Sequence, residues 1–442
     1  MSTATTSLDV SAIRADFPIL SQTVHGRPLV YLDSGATSQK PQVVLDAEID
    51  FLTRANSAVH RGAHTLAGEA TELFEDARAT VSGFLGAQPE QLVWTSGATF
   101  ALNLVAYSIG NATSGRFALA PGDELVVTES EHHANLIPWQ QLAARTGAVL
   151  RHIPVRDDGT IDLDAAASVI GERTRVVAFP HVSNVLGIVN PVAELVLLAR
   201  GVGALTVLDA CQSTPQLPFD FDALGVDLAA FSGHKMLGPY GVGGLLGRSD
   251  VLEALPPFLT GGSMVTTVTL DDAGFLPAPQ KFEAGTQPVS QAIGLAAAAR
   301  YLDSLGMDAV QAHESALGRR LMAGLREIDG VRLLGDASTG SATGGAASPT
   351  GGAGSATGGG SVERVGIASF DVDGVHAHDV GQFLDDRGVA VRVGHHCAKP
   401  LHARFGLTAS VRASTSVFTT DDDLDVFFDA ISGVRSFFGV GA

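Results

Sequence analysis

Leu228-Ala229-Ala230-Phe231-Ser232-Gly233-His234-Lys235 decides the fold of this chain. Its first four residues are apolar without alternation, the pattern of a strand buried on both faces. The Ser-Gly-His-Lys that follows, leading into the glycine-rich stretch Gly238–Gly244, sets a lysine at a strand end among small groups. Working outward, similar runs recur at Gln91–Thr95, Glu124–Thr128, Val149–Val155, Arg175–Phe179, Leu205–Leu208 and Gly243–Gly247. Helical patterns lie between several of them, such as Pro191–Arg200. This rhythm predicts an α/β fold, a mostly parallel seven-stranded sheet with helices on both faces. Ligands bind such sheets beyond the carboxyl ends of the strands. Ser96–Thr99, His132, His181–Asn184, Asp209 and Ser232–Lys235 therefore carry special weight.

Helix Glu69–Leu85 shows a core stripe of Leu73, Phe74, Ala77, Val81, Phe84 and Leu85. Near residue 300 the pattern changes. A long helical region, Ser290–Asp329, leads into strands at Gly366–Asp371 and Val389–Val393. The expected organisation is a segment 1–25 packing with the small domain, a large domain 26–300 and a small domain 301–442. From Ala337 to Ser361 every residue is Gly, Ala, Ser, Thr or Pro, which predicts a flexible insertion.

The 442 residues are 45% hydrophobic, ample for a packed core. With 28 basic against 47 acidic side chains and a net charge of −19, the chain lacks the footprint of a nucleic-acid or anionic-membrane binder. Its N-terminal Met-Ser-Thr-Ala-Thr-Thr-Ser has no signal-peptide pattern, and no uncharged apolar run is long enough to span a membrane; a cytoplasmic location is expected. Two cysteines, Cys211 and Cys397, cannot make a disulfide framework or a cysteine-rich zinc site.

Each constellation admits more than one use. Lys235 suits a Schiff base with an aldehyde cofactor, although read alone it is more readily a solvated lysine. Asp209, ending the run Leu205–Leu208, could hold a pyridinium nitrogen protonated or simply cap the next helix. Together they point to pyridoxal phosphate. Ser96-Gly97-Ala98-Thr99 precedes a helix expected to begin near Phe100 and could bind phosphate there. Within Glu131-His132-His133-Ala134-Asn135 an imidazole could lie over a planar ring. Around Cys397, the sequence supplies Arg392, His395, His396, Lys399 and Arg412, cations that would favour the nucleophilic thiolate. A metal held by His376, His378, His395, His396 and His402 is set aside, because only one cysteine and no regular zinc spacing accompany them. Cys211 reads as a small buried filler.

The sequence resembles the group II (SufS-type, SUF-system) cysteine desulfurases of the class V aminotransferase family. The likeness is carried by Asp16-Phe17-Pro18, Tyr31-Leu32-Asp33-Ser34, Ala58–Gly62, Glu131–Asn135, His181–Gly187, Phe231–Lys235, Gly261–Met264, Phe282–Thr286 and Gly394–Pro400. It implies fold type I and a homodimer carrying pyridoxal 5'-phosphate. By this resemblance Lys235 bonds the cofactor, Asp209 pairs with its ring nitrogen, Gln212 with the ring oxygen, and His132 stacks on the ring. Ala98, Thr99, Ser232 and His234 hold the phosphate, with Thr286 donated by the second subunit. Asn184, Arg412, Arg392 and His60 bind the substrate. Cys397 takes sulfur from L-cysteine, releasing L-alanine and keeping a persulfide for iron–sulfur cluster assembly.

His378 is similar to a histidine of relatives that serve a zinc-containing, scaffold-like (SufU-type) acceptor; a SufE-type acceptor is the alternative. Selenocysteine lyase activity and a non-catalytic sulfur-transfer scaffold are the competing functions. Ala98 and Phe100 depart from the Thr and Glu that relatives often have, which shifts the expected phosphate contacts toward backbone donors.

Overall fold

The computed structural model describes residues 8–336 and 362–440. The insertion expected to be flexible, 337–361, lies outside the described residues.

All seven predicted apolar runs enter one sheet: β1 (Leu92–Thr95), β2 (Glu124–Thr128), β3 (Val149–Ile153), β4 (Thr174–Pro180), β5 (Leu205–Asp209), β6 (Leu228–Ser232) and β7 (Gly243–Gly247). Their order is β1-β7-β6-β5-β4-β2-β3. Only β7 runs antiparallel to its neighbours. Burial on both faces explains the unbroken apolar runs. Side chains alternate between two cores: Ala229, Phe231, Leu208, Val177 and Phe179 enter one. Leu228, Ala230, Val207, Val176 and Ala178 enter the other.

The covering helices are α1 (Thr65–Phe84), α2 (Ala98–Asn111), α3 (Ile137–Thr146), α4 (Val192–Gly201) and α5 (Val289–Leu305). Phe74, Ala77 and Val81 of α1, Leu195 of α4 and Leu295 of α5 close the first core. Leu102 and Val105 of α2 and Trp139 of α3 close the second.

The helical region expected over Ser290–Asp329 is present as two helices, α5 and α6 (Met307–Arg326), separated at Gly306, φ 79°. The strand expected at Val389–Val393 is split between two sheets. Val389–Ala390 pairs in parallel with Val30–Tyr31, whereas Arg392–Gly394 pairs antiparallel with Ser410–Ser414.

A four-stranded antiparallel sheet forms from β8 (Val331–Leu333), β9 (Ile367–Val372), β10 (Arg392–Gly394) and β11 (Ser410–Ser414), in the order β8-β9-β11-β10. Helices α6, α7 (Ala377–Asp385) and α8 (Asp421–Ser432) cover one face through Leu321, Phe383 and Phe427. Alternation along β11 sends Val411 and Ala413 into that core. Ser410, Arg412 and Ser414 then point to the opposite side, toward the large sheet. There Arg412 donates to the Asn184 carbonyl at 2.8 Å, and Ser414 accepts from the Gly35 amide at 2.8 Å. At the N-terminus, Arg14 reaches Asp423 at 2.9 Å and Phe17 packs on Phe418.

One buried ion pair ties three elements together. Arg78 on α1 donates to both carboxylate oxygens of Glu283 at 2.7 and 2.9 Å. Glu283 also accepts from the Trp94 amide of β1 at 2.8 Å. Both side chains are almost wholly buried. Glu283→Ala would leave the buried Arg78 with the more exposed Glu75, 2.9 Å from its Nε, and the expected loss of stability is about 3 kcal/mol. Denaturant titration checks this; a loss below about 1 kcal/mol would contradict it.

Candidate active site

A cavity opens where β5 and β6 end. It is lined by Ala98, Thr99, His132, Asn184, Asp209, Gln212, Ser232, His234, Lys235, Arg392 and Arg412, all anticipated from sequence. Gly35, Ala36, Ala134, Pro180, Val182, Cys211 and His396 complete the wall. The topology of the sheet makes this convergence possible: side chains just past the carboxyl ends of neighbouring parallel strands face one crevice.

Lys235 sits on a short 3-10 turn, Gly233–Lys235, immediately after β6. The turn is fixed from behind, because the His234 carbonyl accepts from the Ser38 amide at 3.0 Å and the Ser38 hydroxyl at 2.9 Å. A side chain on Gly233 would come within 2.9 Å of the Val242 carbonyl oxygen, so only glycine fits there. His234 stacks on Tyr240 at 5.6 Å, and burial with the charge of Lys235 lowers its imidazole to about 4. Asp209 ends β5, is buried, and accepts from the Cys211 amide at 3.0 Å. It does not cap a regular helix there, since turns follow it.

The phosphate cradle expected at Ser96–Thr99 is the N-terminus of α2, which starts at Ala98, two residues earlier than expected. Gly97 adopts φ 141°, a conformation that favours glycine, and a Cβ there would lie 3.3 Å from the Ser232 hydroxyl. The Ala98 amide donates to Ser232 Oγ at 3.0 Å. Thr99 is exposed at the cavity edge.

His132 is set by its neighbours. Its Nδ1 accepts from the Ala134 amide at 3.1 Å, so Nε2 carries the proton in the neutral ring. Burial, then the charge of Lys235, lowers the imidazole to about 4. Glu131 is fully buried beneath this turn, accepting from Thr128 Oγ1 at 2.7 Å and Asn135 Nδ2 at 2.8 Å. Burial raises its carboxyl well above the usual range, against those hydrogen bonds. The Asn135 amide oxygen in turn accepts from Trp139 Nε1 at 3.0 Å. Glu131 and Asn135 carry no role in the reading of the sequence; Asn135, on the short 3-10 turn His133–Asn135, reaches back to the Glu131 that precedes it.

Arg412 is 1% exposed and donates to Asp33 Oδ1 at 3.3 Å as well as to Asn184. Its Nε has no hydrogen-bond partner among the described residues. Burial lowers the guanidinium to about 10, with Asp33 opposing that shift. Asn184 spends its side-chain amide on the His396 carbonyl at 2.7 Å. Gln212 donates to the Gly35 carbonyl at 2.8 Å.

Cys397 is half-buried on the four-residue loop His395–Ala398, between β10 and a short helix, Lys399–Arg404. Arg392 Nη2 is 3.8 Å from its sulfur. His133, not His132, holds the loop: its amide donates to the Cys397 carbonyl at 2.6 Å, and its Nε2 accepts from the Lys399 amide at 3.2 Å. The expected ring of cations is only partly present. His396 is 2% exposed with its ring against Ser410, and burial, then the Arg412 charge, lowers it to about 2. It is neutral at physiological pH and adds no charge beside the thiol. Cys211 is buried in the cavity wall, its thiol pushed up to about 12 by burial and Asp209.

Besides Cys397, which follows the lining residue His396 but is not itself in the lining, three anticipated residues lie outside the cavity. His60 is exposed and bonded to Glu75 at 2.8 Å, Thr286 is exposed, and His378 is exposed in the first turn of α7.

The aminotransferase class-V family model matches residues 30–347 and 357–427. The chain belongs to that family. It is 54% identical over 440 residues to a probable cysteine desulfurase 2 of Mycobacterium leprae (strain TN), covering 99% of this chain and 100% of that one. A probable cysteine desulfurase of Streptomyces coelicolor is 47% identical over 434 residues, covering 98% of each. Among solved structures, the apo cysteine desulfurase of Thermococcus onnurineus NA1 superposes with a TM-score of 0.86 at 34% identity, covering 96% of this chain and 98% of that one. An Escherichia coli cysteine desulfurase in its S-sulfonic acid form gives 0.83 at 33%, covering 98% and 100%. The fold type I architecture expected from the sequence is the one present.

Proposed function

We propose that this protein is a pyridoxal phosphate-dependent cysteine desulfurase of the SufS type. The observation that carries the reading is the meeting of Lys235, Asp209, Arg392 and Arg412 in one cavity, with the Cys397 sulfur 3.8 Å from Arg392. The donor set suits the cofactor. A helix N-terminus with a bare Gly97 can take a phosphate, a buried carboxylate can take a protonated ring nitrogen, and the lysine can take an aldehyde. The unpartnered His234 Nδ1 and Arg412 Nε are buried polar atoms suited to such ligands. Ser232, His234, Thr99 and the Ala98 turn would hold the phosphate, Gln212 the ring oxygen and His132 the ring face. When bound, the cofactor supplies an electron sink for the substrate Cα.

The protein's own groups do the rest. Arg412 and Asn184 would hold the carboxylate of L-cysteine, and Arg392, lining the same cavity, reaches the thiol at 3.8 Å. Asp209 would keep a proton on the ring nitrogen of the bound cofactor, and the Lys235 amine would move the proton from the substrate Cα. Thiolate Cys397 attacks the substrate sulfur; the C–S bond breaks, its electron pair stays with the carbon fragment, and Cβ gains a proton to leave as alanine. Sulfur remains on Cys397 as a persulfide. Stoichiometric alanine release from L-cysteine by the purified protein tests the reading, and absence of alanine would refute it.

The finer assignments belong to the same proposal. The working form is a homodimer in which the exposed Thr286 completes the partner's phosphate site and His60 approaches the substrate. The chain divides into segment 1–25, a cofactor-binding unit 26–300 and a small unit 301–442, each sheet having its own core. The cysteine-poor sequence and an assembly role in the SUF system fit the cytoplasm. No helix among the described residues is long and apolar enough to cross a membrane. The sulfur passes to a zinc-containing, SufU-type acceptor that exposed His378 reaches. His378→Ala is expected to abolish the acceptor's stimulation of turnover and leave the unstimulated rate intact. Unchanged stimulation in a turnover assay with such an acceptor would shift the assignment to a SufE-type partner.

A further inference from the structure

His396 and Cys397 are consecutive non-glycine residues in the left-handed region, at φ 48° and 57°. Each such residue costs about 1–3 kcal/mol and persists only where its surroundings hold it. Backbone bonds from Asn184 and His133 supply part of the hold. The remainder comes from a chain of side chains buried beneath the loop.

His402 Nδ1 is 3.0 Å from the Ala398 carbonyl oxygen, which can only accept, so Nδ1 carries the proton. His402 Nε2, 2.9 Å from Ser410 Oγ, then accepts the hydroxyl proton. Ser410 has spent its one proton and therefore accepts from His396 Nε2, at 3.0 Å. Only this direction satisfies all three bonds when both rings are neutral. Burial lowers both imidazoles, which keeps them so at neutral pH. Ser410 is 0%, His402 1% and His396 2% exposed, so water cannot substitute for a missing partner.

We propose that His402 and Ser410 are positioning residues for the desulfurase reaction, holding the His396–Cys397 turn through the His396 ring and thereby setting where the Cys397 thiol meets substrate. The inference rests on Cys397 being the sulfur acceptor. It extends the site to two residues that touch neither substrate nor cofactor.

The test compares Ser410→Ala, Ser410→Thr and His402→Leu as cofactor-loaded enzymes, following alanine release from L-cysteine. Ser410→Ala and His402→Leu should lower kcat about tenfold or more, the scale of a misplaced reacting group. KM should stay within about twofold, because Arg412 and Asn184 remain. Ser410→Thr keeps the hydroxyl and should recover most of kcat. If Ser410→Ala fails to fold, His402→Leu at the other end of the chain gives the same reading. The proposal is overturned if Ser410→Thr is as slow as Ser410→Ala, since packing and not the hydroxyl would then matter. It is equally overturned if both disrupting variants keep kcat within about twofold of the parent. Persulfide mapping on the unsubstituted enzyme separates the two claims. Sulfur found away from Cys397 ends the underlying assignment, whereas sulfur on Cys397 with unaffected variants ends this inference alone.

Discussion

Lys235→Ala is expected to lower alanine formation from L-cysteine by at least about 10^3-fold, because one side chain serves two steps. In the proposed mechanism the lysine both tethers the cofactor and moves the Cα proton. Its placement leaves no substitute. The 3-10 turn carrying it is pinned through the His234 carbonyl to Ser38, and Gly233 lets that turn approach Val242 closely. His132 faces the same cavity, but its imidazole near 4 binds a proton too weakly to replace an amine. The measurement is steady-state alanine release, with the visible absorption of the lysine-linked cofactor recorded in parallel. The variant should lose that absorption and release its cofactor on dialysis. Retention of more than about a tenth of the activity would remove Lys235 from the mechanism.

Cys397→Ser should leave cofactor binding intact and abolish persulfide formation, with desulfuration again falling at least about 10^3-fold. Arg392 lies 3.8 Å from the sulfur, and His133 and His395 fix the loop through backbone atoms of Cys397, bonds that a serine there keeps. What it lacks is thiolate nucleophilicity. Cys211 cannot take over, since burial and Asp209 push its thiol up to about 12 and keep it protonated. Selenocysteine offers a contrast, because selenium leaves more readily. Substantial selenium release with lost desulfuration fits a nucleophile at Cys397, whereas unchanged activity on both substrates does not.

The sheet was readable because parallel strands buried on both faces leave unbroken apolar runs, and Leu228–Phe231 is the plainest of them. The strand ends then gave the cavity, since residues past adjacent carboxyl termini must converge. Breaks inside a pattern were harder. Gly306 splits one long helical stretch, and Val391 separates two short strands whose partners, Val30–Tyr31 and Ser410–Ser414, belong to different sheets. The supports of the site were hidden for the same reason. Arg78 with Glu283, and His402 with Ser410 and His396, are paired by tertiary packing, which no local periodicity announces. The charge count around Cys397 misled in one respect: sequence supplies His396 as a cation, and burial makes it neutral.

The central claim is that sulfur leaves L-cysteine for Cys397. Brief incubation of the cofactor-loaded protein with L-cysteine, followed by alkylation and peptide mass spectrometry, locates it directly. A single added sulfur on the peptide containing Cys397, formed together with alanine, is the predicted result. Sulfur on Cys211, or alanine formed with neither cysteine modified, would contradict it.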